Sequence, residues 1–357
     1  MLNNLITTWS FVLKRSMAHW RLLSAVVVGV LLASAIMSGT VIYFDSLKEL
    51  ALDETLDSVP RDERDIVIKA VRGPTTVQEQ QRVETAVTAV VNSHVGWFVG
   101  DRIVAGASAT FFRSEVGGEE EAGGDKDRAY FAFVPRLSEF VALVAGGDLP
   151  SDAAVNGPGE PLLIEAMVPE TAAIAAGVDV GDVIAVVPFW DDRIPYAHVR
   201  VTALLRPLDP TVRFWNLDEN VLGAATGDSF NTVPLFVSET AFFGLLGREF
   251  ADMDTTYGWL LEVLPDRIDA DLAKTGEISI RLMDERLGSS LFAYRQFTTL
   301  DTVLGVYDKR LFFSKLPMFV VMILVAVVIL YYVVTLSALL IERQRGEIAL
   351  LRSTGAG

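Results

Sequence analysis

The sequence predicts a membrane protein in which two transmembrane α-helices flank a large extracytoplasmic α+β domain with a helical stalk. Two uncharged runs predict the helices: the 23 residues from Leu22 to Phe44 and the 26 residues from Leu316 to Ile341 contain no Asp, Glu, Lys, Arg or His. As helices they would be about 34 and 39 Å long, enough to cross a hydrocarbon core about 30 Å thick. Between them, residues 45–315 hold 24 basic and 44 acidic residues, a net charge of −20.

Charges beside the two runs predict the orientation. Residues 1–44 carry three basic and no acidic residues, and residues 342–357 carry three basic and two acidic residues. Because Lys and Arg are enriched on cytoplasmic flanks, we expect a multi-pass protein of the cell (inner) membrane with both termini in the cytoplasm and residues 45–315 outside. Lys309, Arg310 and Lys315 run against this rule, although long domains translocate largely regardless of charge. The acidic middle is unsuited to nucleic acid.

A cleavable signal peptide is the alternative interpretation of the first run. Lys14, Arg15 and Arg21 make a basic start, residues 22–35 have the length of a signal-peptide core, and Ala33-Ser34-Ala35 fits a cleavage site. The apolar run, however, continues for nine residues past Ala35. A retained span, residues 22–44, is therefore the preferred interpretation.

The segments on either side of the first span also show helical periodicity. Residues 1–21 are predicted to form an amphipathic helix at the inner membrane surface, with an extension of the spanning helix as the alternative. Within the span, small residues at intervals of four would let another helix approach closely; they are Ala25, Gly29 and Ala33, and the pair Ala35 and Gly39. A projecting stalk is predicted beyond Phe44, where Leu47, Leu50, Leu52 and Leu56 continue the pattern up to Pro60.

The middle of the chain alternates between strand and helix signals. Strands are predicted at "RDIVIKAV", "DRIVAGAS", "TFFRS", "AYFAFVP", "PLLIEA", "VIAVV" and "HVRVTALLRP". Strand and helix signals alternate again through "TVPLFVSETAFFGLLG" and "GWLLEVLP". One helix should open with a capping box at Thr76 and Glu79, and another should run from Pro169 to a C-cap at Gly177. From Leu300 a helical pattern enters the second span, residues 316–341. These signals predict a mixed α+β domain of one or two lobes.

Few residues suggest a catalytic, nucleotide-binding or metal-binding site. The chain has no Cys and no Gly-x-x-x-x-Gly-Lys-Ser/Thr loop, and His19, His94 and His198 lack zinc-ligand spacing. The "GDSF" block echoes a serine esterase, but no His follows Ser229, so Asp228 and Ser229 are expected to shape a turn. The acidic segment "EVGGEEEAGGDKD" predicts a solvated hairpin tip, with a cation-binding loop as the alternative. No catalytic residue, cofactor or metal is predicted, and the chain itself is not expected to be an enzyme.

The end of the sequence, "IERQRGEIALLRSTGAG", carries a resemblance. It is similar to the segment that follows the second span in FtsX-like, MacB-like ABC transporter permeases, where a Glu-Arg-rich helix start precedes Glu-Ile-x-x-Leu-Arg, a small pair and Gly-Ala. The matching residues are Glu342, Arg343, Arg345, Glu347, Ile348, Leu351, Arg352, Gly355 and Ala356. The order "PLLIEA…GVDVGDVIAVV…VRVTALLRP" also resembles the outer core domain of that family.

The resemblance implies that residues 342–357 form a coupling helix seated in a groove of a separate cytoplasmic ABC ATPase subunit. On a helix, Ile341, Ile348 and Leu351 would share one face, and a set of neighbouring residues would flank it; these neighbours are Leu350, Arg343, Glu347 and Arg352. The alternative is a juxtamembrane helix on inner-leaflet lipid, with Arg343 and Arg345 at head groups.

These expectations combine into one function. The chain resembles the N-terminal part of a permease subunit, in which ATPase-driven motion reaches the extracytoplasmic domain by mechanotransmission for export or extraction of a lipid, lipoprotein, peptide or amphiphile. The expected partners are the ATPase subunit, a second permease copy or homologue, and membrane lipids. Further spans are expected beyond Gly357, with a two-span relative of the family as the alternative. The alternatives are a membrane-anchored surface receptor or adaptor with an acidic ligand-binding domain, and a tethered hydrolase in residues 45–315.

Overall fold

A computed structural model describes residues 20–119, 127–147, 149–155, 160–190, 196–209, 215, 231–250 and 252–353. The chain divides into two compact units. The helical unit comprises residues 1–54 and 306–357, and the sheet unit comprises residues 55–305. The predicted layout of two long apolar helices flanking a mixed sheet-and-helix domain is confirmed at this level.

The described residues form five helices of seven or more residues and eleven strands. The helices are α1 (Trp20–Asp57), α2 (Val77–His94), α3 (Glu170–Ala176), α4 (Ala273–Ser290) and α5 (Leu300–Ser353). The strands are β1 (Ile66–Gly73), β2 (Val99–Ser108), β3 (Phe111–Glu115), β4 (Asp127–Phe133), β5 (Val141–Gly146), β6 (Leu162–Pro169), β7 (Val183–Pro188), β8 (Ala197–Pro207), β9 (Asn231–Phe236), β10 (Thr255–Val263) and β11 (Arg295–Phe297). Shorter helical turns include Arg61–Arg64 and a segment formed by Glu239–Ala241, Phe242–Leu246 and Gly247–Glu249.

All seven strands that were predicted individually are confirmed, and β9 and β10 lie in the two stretches where strand and helix signals alternate; β5, β11 and α4 have no counterpart among the sequence predictions. The helix predicted after Thr76 is α2, but its capping box is not formed as predicted. The Thr76 hydroxyl donates to the Glu79 carboxylate at 3.0 Å and caps no backbone N–H. A carboxylate is a strong acceptor for a hydroxyl proton, and this bond holds the Thr76 side chain toward Glu79.

Six elements of the sheet unit form a split βαβ module. Strands β11, β1, β10 and β2 lie side by side in that order, and every neighbouring pair is antiparallel. Helix α2 connects β1 to β2, helix α4 connects β10 to β11, and the two helices pack against each other. This βαββαβ order is the ferredoxin-like arrangement. It is an arrangement of the fold and says nothing alone about function.

The remaining strands form a second module inserted between β2 and β10. Strands β4, β3, β7, β8, β6 and β9 pair in succession, and β9 pairs with β4, so these six strands close into a ring. The insertion leaves and rejoins the split βαβ module at adjacent points, because Ser108 pairs with Thr255. The Ala109 N–H also donates to the Asp254 carbonyl at 2.8 Å. We call this insertion, residues 109–254, the ring module.

The helix of the ring module follows its predicted boundaries. Pro169 lies at the N-cap of α3, and Gly177 lies at the C-cap with φ of 65°. A left-handed residue there suits glycine, which has no Cβ to clash. The Val178 N–H donates back to the Ala173 carbonyl at 3.0 Å, which ends the helix and directs the chain into β7.

Apolar residues of both modules share one core. Val67, Ala105 and Leu260 of the split βαβ module pack in a cluster that contains many ring-module residues; these are Tyr130, Ala132, Leu137, Val141, Met167, Ala203, Leu205, Trp215 and Phe236. The opposite face of the antiparallel sheet carries the buried residues Ile68 and Trp259. Because each module covers apolar surface of the other, we expect them to unfold together.

Candidate functional site

Two helices within the described residues are long and apolar enough to cross a membrane, Val27–Asp57 and Leu300–Thr335. In the most apolar 18-residue window of each helix, almost no residue is buried by the protein itself. Buried residues occur nearer the sheet unit along the chain, at Leu52, Leu56, Leu300 and Leu304. On α5, the exposed side chains include Phe319, Val320, Ile323, Leu324, Val327, Val328, Leu330, Tyr331 and Val334. So large an apolar surface is rare on soluble monomeric proteins and marks a site of contact with another protein or with a membrane.

The two helices contact each other in the helical unit. A Cβ added at Gly29 of α1 would lie 3.2 Å from a ring carbon of Tyr332 of α5, so the glycine allows the close approach. The small residues of the first span predict that another helix can approach closely, and at Gly29 helix α5 does so. Ala33 is also buried, whereas Ala35 and Gly39 are exposed and Gly39 has no heavy atom near its missing Cβ.

A second contact joins the helices where the predicted stalk begins. The Tyr307 hydroxyl of α5 donates to the Lys48 carbonyl of α1 at 2.7 Å. Both residues are buried, and the Lys48 ammonium forms an ion pair with Asp45 at 2.8 Å. Since a buried tyrosine hydroxyl needs a partner, this hydrogen bond favours one register between the two helices.

Helix α5 continues past the second apolar run to Ser353 without a break. The predicted coupling-helix residues therefore belong to the last turns of α5, where the sequence analysis had expected a separate short helix; they are Glu342, Arg343, Arg345, Glu347, Ile348, Leu350, Leu351 and Arg352. Apart from Gly346, the segment consists mostly of good helix formers, which accounts for the continuity. Ile341 and Glu342 are exposed, side chains from 343 onward are outside the described set, and so are Gly355 and Ala356.

The chain enters and leaves the sheet unit at one corner. The Thr299 N–H and hydroxyl both donate to the Glu63 carbonyl, at 3.0 and 2.9 Å. Next to them, the Thr298 hydroxyl donates to the Arg64 carbonyl at 3.4 Å, and β1 pairs with β11. The segments that follow α1 and precede α5 are thus tied to each other by hydrogen bonds.

Asp65 reinforces this corner from inside. Its carboxylate accepts from the Val263 N–H at 2.9 Å, and the neighbouring Arg61 is ion-paired with Glu262. Burial raises the pKa of Asp65 above its ordinary value of 3.8, while the Val263 hydrogen bond and Arg61 act in the opposite direction. The carboxylate therefore carries a desolvation cost that its partners offset only in part.

Glu84 links helix α2 to the sheet of the split βαβ module. One carboxylate oxygen accepts from the Trp259 indole N–H at 2.7 Å. The other contacts the Arg102 guanidinium at 3.1 Å and the Thr88 hydroxyl at 3.3 Å. Burial, followed by the Glu84 charge, raises the pKa of Glu239. This cluster fixes the helix on the sheet and contains no nucleophile placed for catalysis.

The two histidines in the described part of the chain, His94 and His198, lie in separate places. His198 on β8 lies 3.0 Å from the Glu119 carboxylate, and His94 contacts the Val90 carbonyl at 2.9 Å at the end of α2. The pKa of Glu119 is lowered by the Gly117 N–H and then by His198. His19, Ser229 and most of the acidic hairpin tip lie outside the described residues. Among the residues that are described, no group of three or more His, Asp or Glu is placed to hold a metal ion.

The ring module contains a cavity that none of the sequence patterns predicts. It has a volume of about 230 Å³ and is lined by Thr110, Phe111, Phe112, Arg128 and Phe189. Strand pairing assembles it, because Phe112 lies opposite Arg128 and Phe111 lies opposite the residue before Phe189. A local pattern could not have indicated it, since the lining comes from β3 and the residue before it, from β4, and from the residue that follows β7.

No protein-family model matches the chain, and no curated protein matches it. The function proposed for the chain therefore rests on its own residues.

Proposed function

We propose that the chain is part of a permease subunit of an ABC transporter of the FtsX-like, MacB-like type. In this proposal, α1 and α5 cross the cell membrane, the sheet unit lies outside, and the end of α5 contacts a cytoplasmic ATPase subunit that hydrolyses ATP. The subunit acts beside a second copy or homologue. It transmits motion outward for export or extraction of a lipid, lipoprotein, peptide or amphiphile.

One observation carries the proposal: two long apolar helices connect to a single corner of one acidic domain. The chain enters and leaves that corner through segments that are hydrogen-bonded at Glu63 and Thr299. A displacement of either helix would therefore reach the same place in the domain. Helices suit this role because breaking one inside lipid exposes unsatisfied backbone groups, at a cost of several kcal/mol, whereas tilting it does not.

The composition of the apolar runs supports cargo handling outside the membrane. Neither Leu22–Phe44 nor Leu316–Ile341 contains an ionisable side chain other than tyrosine. Pathways for polar substrates through a membrane are normally lined by ionisable or polar residues. A cargo that enters from the outer leaflet or from the outside requires no such path.

The continuity of α5 supports a coupling role for its end. Residues 342–352 extend the helix past the apolar run, so force applied to them is applied to the span itself. The pattern places Ile348 and Leu351 on one face with charged residues beside them, which is the pattern of a helix that docks in a groove. The link to an ATPase comes from the resemblance of this segment.

The test is co-purification of the membrane-inserted chain with candidate ABC ATPases from its source. We expect Ile348→Asp combined with Leu351→Asp to abolish association and the stimulation of ATP hydrolysis, because two carboxylates would enter an apolar groove. Ser353→Asp is the matched control, since an ideal helix places it on the opposite side from both positions. Equal association of all three proteins would contradict docking at this face.

The same preparation distinguishes the receptor alternative. N-terminal sequencing of the mature chain should find residues 1–35 retained. A mature start near Ile36, together with no associated ATPase, would instead indicate a single-span surface protein.

A further inference from the structure

The cavity of the ring module has the features of a small binding site. Its walls are mainly phenylalanine rings, and the Phe112 and Phe189 rings meet edge to face with centroids 6.4 Å apart. Behind them, the Trp190 ring packs edge to face on two phenylalanines, with its centroid 4.9 Å from that of Phe111 and 5.5 Å from that of Phe189. The wall is therefore part of a larger aromatic cluster. Phe189 nevertheless remains 56% exposed, which is high for a phenylalanine of this domain.

We propose that this cavity binds the apolar end of an anionic amphiphile, with a ring or short alkyl chain against the phenylalanines and the negative group near Arg128. The proposal does not depend on the transport function, because it concerns only the sheet unit.

The volume limits the size of the ligand. About 230 Å³ is larger than a cavity of roughly 150 Å³ that holds benzene, and smaller than the ~300–1,000 Å³ of sites that enclose drug-sized molecules. The cavity can therefore enclose one ring or a short chain, and the rest of a longer molecule would remain outside. Phe189, being both part of the wall and exposed, lies where such a molecule would leave the cavity.

The positive charge of Arg128 in the cavity wall favours a negatively charged ligand. Arg128 is partly buried beside the rings, where its charge is screened less than at a fully exposed position. The domain as a whole is strongly acidic, with a net charge of −20 for residues 45–315, so its general surface repels anions. Binding of an anion would therefore require this local cation, whereas a cation could bind weakly anywhere on the surface.

The experiment measures binding of 3-(4-fluorophenyl)propionate to the full chain in lipid nanodiscs by fluorine NMR. The amine of the same skeleton, 3-(4-fluorophenyl)propylamine, is the charge-reversed probe. Thr110→Trp should fill the cavity, and Phe189→Ala should remove an exposed wall residue with little effect on folding. Ile174→Ala is the control, because Ile174 is 75% exposed on α3 and is not part of the lining.

We expect saturable binding of the propionate that is weakened at least about tenfold by Thr110→Trp, Phe189→Ala and Arg128→Gln, and is unchanged by Ile174→Ala. The amine should show no saturable binding that depends on these residues. Wild-type affinity in folded Thr110→Trp and in Phe189→Ala would overturn the site. Equal, variant-sensitive binding of the amine would overturn the assignment of charge, and a non-saturable signal insensitive to every variant would overturn the proposal altogether.

Discussion

Replacing Glu84 by Ala should lower the free energy of unfolding by about 2 kcal/mol. Trp259 is only 1% exposed, so water cannot replace the carboxylate at its indole N–H, and an unsatisfied buried donor costs about 1–3 kcal/mol. Loss of the ion pair with Arg102, in which both side chains are about a quarter exposed, adds about 0.5 kcal/mol, and the higher helix propensity of alanine returns a similar amount. The single buried hydrogen bond therefore dominates the result.

A double-mutant cycle isolates that hydrogen bond. Trp259→Phe removes the N–H, so in its background Glu84→Ala should cost only about 0–0.5 kcal/mol, which leaves a coupling energy of about 1.5–2 kcal/mol. Urea unfolding in mild detergent, followed by tryptophan fluorescence, provides the four free energies. Glu79→Ala is the control on the same helix, because the Glu79 carboxylate bonds to the exposed Thr76 hydroxyl. A coupling energy below about 0.3 kcal/mol would refute the assignment of the cost to the indole.

Three further changes test other parts of the sheet unit. Burial raises the pKa of Asp65 above 3.8, so the native state binds the proton of this carboxyl group more tightly than the unfolded chain does. The resulting contribution to stability is present below pH 3.8 and is lost as the pH rises through the raised pKa. Asp65→Asn should therefore gain stability relative to the parent between pH 4 and pH 7 in urea titrations, and the opposite slope would contradict the burial argument. Gly247→Ala places a Cβ against the Thr75 carbonyl and should cost about 1–3 kcal/mol by thermal unfolding, whereas Gly244→Ala meets open space and should change stability by less than about 0.5 kcal/mol. Replacement of residues 110–253 by a two-residue turn should leave a cooperative unfolding transition at lower temperature, and a non-cooperative transition would show that the split βαβ module needs the ring module to fold.

Local patterns predicted the elements whose signals are local. The strands from "RDIVIKAV" to "HVRVTALLRP" are rich in β-branched and aromatic residues, and α3 is bounded by Pro169 and Gly177. Both kinds of signal act within a few residues, through side-chain fit on a pleated surface and through backbone dihedral angles. The two uncharged runs likewise required only counting along the chain.

Helix α4 had a usable signal that was missed. Its buried residues are Ala273, Gly276, Ile280, Met283 and Leu287, which follow one another at intervals of three and four, as expected for one helix face. The stripe is inconspicuous because two of its members are Ala and Gly. A Cβ at Gly276 would lie 3.0 Å from the Leu304 side chain, so this position is small because α5 begins against it.

The arrangement of the strands could not be predicted from local patterns. Closure of the ring depends on parallel pairing of β4 with β9, which are separated by about a hundred residues, and on a single pair between Met167 and Phe236. The short strands β5 and β11 exist because distant strands β8 and β1 present open edges to them. The cavity at Phe112 and Arg128 has the same origin. The coupling role of the residues at the end of α5 stays a prediction that comes from the resemblance of a motif.

Thiol labelling in whole cells tests the membrane arrangement most directly. The chain has no Cys, so Ser290→Cys on the exposed end of α4 and Ser353→Cys at the end of α5 would each carry the only thiol. A membrane-impermeant maleimide should label the Ser290→Cys protein in intact cells, and the Ser353→Cys protein only after the membrane is permeabilised. Equal labelling of both proteins in intact cells, or protection of the Ser290→Cys protein until permeabilisation, would contradict an outer sheet unit held by two spans above a cytoplasmic helix.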